Sequence, residues 1–105
     1  MKLCTVKLKY EKLRDMTTEV FFEVAGARAC GYSVIRFDTP EGAGERAVST
    51  LARILRGMKR RGAVQFFVGK DGFEKQSTEA RFLLNVCPEC EEASGVACNY
   101  LFVKI

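Results

Sequence analysis

One stretch constrains the fold more than any other: residues 39–62, TPEGAGERAVSTLARILRGMKRRG. Ala47, Val48, Leu51, Ile54, Leu55 and Met58 recur at i, i+3, i+4 and i+7 spacing, which places them on one stripe of a helix with ~3.6 residues per turn. Arg46, Ser49, Arg53, Arg56 and Arg60 fall on the opposite side. A helix divided in this way must bury one face. The rest of the chain reads as strand and turn, so the expected partner for that face is a sheet. Thr39 suits the N-cap and Pro40 the first helical position, while Gly42 and Gly44 weaken the opening turn and move the regular start toward Glu45. Glu41 and Glu45 favour the positive end of the helix dipole, and Lys59, Arg60 and Arg61 the negative end. Gly62 is the natural residue to close it.

Before that stretch, Cys4, Val6, Leu8 and Tyr10 alternate with Thr5, Lys7 and Lys9, the period of a half-buried strand over residues 3–10. The exposed lysines suit a sheet edge. Residues 11–17 lack either period and read as a loop with room for one helical turn. Val20, Phe22 and Val24 alternate over residues 18–25, and residues 29–38 alternate again, with Gly26-Ala27-Arg28 as the turn between them. The expectation is an antiparallel hairpin. After the helix, residues 63–68 (AVQFFV) form an apolar strand, Gly69-Lys70-Asp71-Gly72 a turn, and residues 73–77 its return arm. Residues 77–86 fit strand or helix, with strand favoured, and residues 96–105 alternate as a final strand. The sum is a single α+β domain over residues 1–105: a mainly antiparallel sheet of five or six strands with one long amphipathic helix on one face. The other sheet face is expected to be solvated or to meet a partner.

The chain's 105 residues suit one domain, and 48% apolar residues are enough for a core. No apolar run approaches the roughly 20 residues of a membrane span. Lys2, Lys7 and Lys9 interrupt any signal-peptide core near the start, so a cytoplasmic protein is expected. A net charge of +4 permits nucleic-acid contact without requiring it. Its distribution is more telling: six basic and no acidic residues lie from Arg46 to Arg61, and three Glu with no base lie between Cys87 and Gly95.

The chain contains no His, which removes the commonest general base, the commonest zinc ligand and the Ser-His and Cys-His nucleophile pairs. No phosphate-binding glycine motif occurs. Asp38 and Glu41 are the nearest approach to a carboxylate pair, and a helix start explains such acids without catalysis. A non-enzymatic protein without a cofactor is expected. Cys87 and Cys90 make a C-x-x-C, with Cys98 eight residues on. Reduced structural thiols are the leading reading for the five Cys. The alternatives are a zinc site on Cys87, Cys90 and Cys98, completed by Cys4 or Cys30, and a redox pair.

The basic stripe is the main functional lead: Arg46, Arg53, Arg56, Lys59, Arg60 and Arg61 as a partner-binding face. Arg and Lys on one exposed helix face match phosphates or carboxylates. The stripe holds no aromatic residue, which argues against reading of bases. In general character the chain resembles small, non-catalytic proteins of phages and mobile elements, anti-CRISPR and other anti-defence inhibitors among them, although no motif carries the likeness. The expected function is therefore an inhibitor or regulator that occupies a surface of a larger nucleic-acid-handling machine, with a protein or ribonucleoprotein as partner. Direct nucleic-acid binding through the basic helix is the first alternative, and a small zinc or redox protein the second.

Overall fold

A computed structural model describes residues 2–68 and 100–105. The elements run β1 (Leu3–Lys7), α1 (Leu13–Ala29), β2 (Val34–Asp38), α2 (Glu45–Arg60), β3 (Phe66–Val68) and β4 (Tyr100–Lys104). Among the described residues the sheet has four strands in the order β1-β2-β4-β3. β1 and β2 are parallel, and β4 is antiparallel to both β2 and β3. Among the described residues the architecture is thus a mixed α+β domain with a four-stranded sheet and two helices, which does not exactly match the expected mainly antiparallel sheet of five or six strands with one long helix.

The largest departure from the expected hairpin is α1. Residues expected as loop, strand and turn form one continuous 17-residue helix. Met16, Val20, Val24 and Ala27 are its buried positions, stepping by four, four and three. Steps of four are also even, so Val20 and Val24 satisfy a strand's alternation and a helix's stripe at once. Phe22 separates the two patterns, and it stands 75% exposed. The helix absorbs its hydroxyl residues internally: Thr17 and Thr18 donate to the carbonyls of Leu13 and Arg14 at 2.6 and 3.3 Å. A helix here also makes β1 and β2 parallel, because parallel neighbours need a crossover and a hairpin cannot supply one.

The strand expected over residues 29–38 survives only as Val34–Asp38. Its first residues instead close α1. The N–H groups of Gly31 and Tyr32 donate to the carbonyls of Arg28 and Ala27 at 3.0 and 2.9 Å, with Gly31 at φ 79°. α2 closes identically through Gly62 (φ 76°) and Ala63, which donate to Lys59 and Met58 at 3.1 and 2.9 Å. Both are Schellman ends that need a left-handed residue, hence glycine. At its start α2 is capped by Gly44 rather than Thr39. Ala43 N–H donates to Pro40 and Gly42 takes φ 78°, so the chain turns once more before the helix can begin.

Both helices lie on one sheet face. Leu8, Met16, Val20, Ile35, Phe37, Leu51, Leu55, Met58, Phe67, Leu101 and Val103 join one buried cluster, with Cys4 and Val6 packed against it. Register makes this consistent, since Cys4 pairs with Ile35, Ile35 with Val103 and Val103 with Phe67. Tyr10, expected inward, lies beyond the strand and is 51% exposed. The opposite sheet face is not open at its centre, contrary to expectation: Val34, Phe66 and Phe102 are buried there too. The turn at 69–72 and the segments 73–77, 77–86 and 87–95 lie outside the described residues.

Candidate functional site

α2 turns seven residues inward, from Ala47 to Met58, and its charges outward. Arg46, Arg53, Arg56, Lys59, Arg60 and Arg61 are all exposed, as their spacing predicts. Arg46, Arg53 and Arg60 are seven residues apart, or two turns. With a rise of ~1.5 Å per residue they form a line about 21 Å long. Arg56 and Lys59 lie to one side of the line, and the Arg56 guanidinium is 5.9 Å from the Phe67 ring centre. Arg61 lies on the other side, beside α1.

The parallel crossover lays α1 alongside α2 in the same direction. Lys12 and Leu13, at the start of α1, share a groove of about 610 Å³ with Arg46, Ala47, Thr50 and Arg53. Further along, the Arg61 guanidinium is 5.9 Å from the Phe21 ring centre. At the far end Arg28 donates from Nη2 to the Ala63 carbonyl, which joins the end of α1 to the turn after α2. Lys12 and Phe21 are therefore neighbours of the basic stripe that no inspection of residues 39–62 reveals. Phe21 belongs to α1's α2-facing shoulder and Phe22 to the other. Finding this requires knowing that residues 13–29 are helical.

The carboxylates near the start of α2 have cations of their own. The Arg36 Nε to Asp38 Oδ1 distance is 2.7 Å, with the Arg36 guanidinium also 4.1 Å from the Tyr100 ring centre. Lys7 approaches Glu41 at 3.6 Å, and both side chains are largely exposed. Glu19 accepts the Lys9 N–H at 2.9 Å, which ties the loop after β1 to α1.

Cys4 and Cys30 are free thiols. Burial raises the Cys4 pKa above the ordinary thiol value, and the charges of Glu23 and Cys30 raise it further. Burial and these charges thus favour the Cys4 thiol over its thiolate. Cys87, Cys90 and Cys98 lie outside the described residues, and among the described residues no group of three or more His, Cys, Asp or Glu could hold a metal ion. Nor, among those residues, is any helix long and apolar enough to cross a membrane. Comparison with protein-family models, with curated proteins and with solved structures finds no match to this chain.

Proposed function

We propose that the chain is a non-enzymatic binding protein that inhibits or regulates a larger nucleic-acid-handling machine by occupying one of its surfaces. Its contact is the basic face of α2. The observation that carries this reading is the segregation itself: six exposed cations and no acid from Arg46 to Arg61, on a helix whose other face is locked into the core. A rigid line of arginines engages carboxylates or phosphates with little ordering cost, because the backbone beneath it is already fixed. Action by contact also fits Asp38 and Glu41, the carboxylates ahead of α2, which are engaged in ion pairs.

The test is the double reversal Arg53→Glu with Arg56→Glu, used beside the parent chain to capture partners from cells of the native host. Folding should be retained, with stability within about 1 kcal/mol, since exposed charges contribute little. Binding to the captured partner should weaken by ~2–5 kcal/mol where the charge pairs are buried on docking. Equal capture by the reversed and parent chains would reduce the stripe to an ordinary solvated helix face.

A further inference from the structure

We infer that the seam between α1 and α2 holds a single strand of nucleic acid, with its phosphates on Lys12, Arg46 and Arg53 and one base stacked on Phe21. The inference rests on the reading that the basic face of α2 is the contact surface, and it names what that face grips.

Three observations converge on it. The first is concavity. Lys12 approaches from the lead into α1 while Arg46 and Arg53 approach from α2, and all three border one groove. Cations gathered around a concave, low-dielectric wall focus their field more than the same charges on a convex helix. Among the described residues Glu11 is the one acid that lines that groove. The second is an aromatic in the right place. Phe21 is 36% exposed although it is large and apolar, and its ring lies within cation–π reach of Arg61. Stacking on an aromatic ring flanked by guanidinium groups is how single strands are held without regard to sequence.

The third observation is spacing. Leu13 borders the groove and Phe21 is eight residues along α1, while Arg53 borders it and Arg61, the C-cap residue of α2, is eight residues on. Eight residues of helix rise about 12 Å. That distance corresponds to three or four nucleotides at ~3.4 Å per phosphate, and to fewer in a stretched strand. A duplex would satisfy the arginines and leave Phe21 without a base, because its bases are stacked on one another.

The experiment is fluorescence anisotropy with labelled 12-nucleotide oligo-dT and oligo-U, and with a blunt duplex of the same length, across a salt series. The parent chain should bind at least one single strand more tightly than the duplex. Arg53→Gln should lower the slope of log affinity against log salt by about 0.7, the loss expected for one phosphate contact. Phe21→Leu should weaken single-strand binding roughly 5- to 150-fold, the range for losing one stacked base, and leave the slope unchanged. Phe22→Leu, on the opposite shoulder of α1, should change neither. The inference falls if neither single strand binds at low salt, if the duplex binds as tightly, or if Phe21→Leu and Phe22→Leu behave alike. Should the single strands fail while the Arg53/Arg56 reversal still abolishes capture of a protein partner, the seam inference is overturned and the basic contact face stands.

Discussion

Helices α1 and α2 lie on the same sheet face and close with the same glycine-centred hydrogen bonds, yet they meet solvent differently. α2 buries Ala47, Val48, Leu51, Ala52, Ile54, Leu55 and Met58, whereas α1 buries Met16, Val20, Val24 and Ala27. From Arg46 onward the outer side of α2 carries one sign of charge. That of α1 mixes Arg14, Asp15, Thr18, Phe21 and Phe22. Their positions explain the contrast. The buried face of α2 joins the core cluster with Ile35, Phe37, Leu101 and Val103 of the two central strands, so it must be broad and apolar. α1 serves the crossover from the edge strand β1, where less core needs covering and polar residues are tolerated. A helix strongly anchored on one side can sort its other side for binding. A weakly anchored one contributes to a site through individual residues, as Phe21 and Lys12 do here.

The sharpest way to break that contrast is to remove one anchor from each helix. Leu55 and Met16 are both fully buried. Leu55→Ala and Met16→Ala should each cost about 2–5 kcal/mol, the range for truncating a buried Leu or Met. Leu55→Ala should cost more, because α2 lies over the centre of the sheet and cannot settle into the void without shifting against several strands. Thermal or urea denaturation reads both, and each kcal/mol lowers Tm by about 4–8 °C for a domain near 100 residues. If Met16→Ala proves the more damaging, α1 is the principal anchor and the ranking of the helices reverses.

The same contrast decides what could be read in advance. α2 was legible because its apolar stripe runs through about three turns, from Ala47 to Met58, with arginines opposite and Gly62 at the end. Its six cations were legible as a face for the same reason. α1 was not. Its apolar residues step by four, which alternation mimics. Thr17, Thr18, Val20 and Val24 are β-branched, Gly26 interrupts it, and Lys12 at its N-cap makes no side-chain capping bond. Every local signal was therefore weak, and only packing of Met16, Val20 and Val24 against the sheet selects the helix. Missing α1 also hid half of the seam, since Lys12 and Phe21 reach the arginines through topology and not through spacing. Cys87, Cys90 and Cys98 lie outside the described residues, so their readings rest on sequence.

Glycine substitutions probe the two helices more finely, with opposite signs expected at different positions. Gly31 and Gly62 take positive φ, and a Cβ on either would meet nothing within 4 Å. Ala at either position should therefore cost about 1–2 kcal/mol from backbone strain alone. Gly26 in α1 and Gly57 in α2 sit within helix, and a Cβ there likewise meets nothing within 4 Å. Ala at those positions should stabilise by about 0.8–1 kcal/mol. Measured by denaturant midpoint, a gain at Gly31 or Gly62 would contradict the shared helix ends, and a loss at Gly26 would contradict an unbroken α1.

The smallest expected effect carries a distinct message. Phe22 is the residue whose alternation with Val20 and Val24 suggests a strand, and a strand with that face inward would bury it. Phe22→Ser would then cost about 3–5 kcal/mol or more, as loss of a buried aromatic does. On α1 the ring stands in solvent beside a groove shared with Lys7, Lys9 and Tyr10, where Arg14 is balanced by Asp15 and Glu19. Substitution at such a position should change stability by no more than about 0.5 kcal/mol. The mixed charge of that groove also gives a polyanion little reason to enter it, so Phe22→Ser should leave oligonucleotide affinity where the parent has it. A loss of stability above 2 kcal/mol would put Phe22 inside the fold. A loss of affinity without loss of stability would move the nucleic-acid contact from the α1/α2 seam to the β1 side of α1, and the comparison between the helices would have to be drawn the other way.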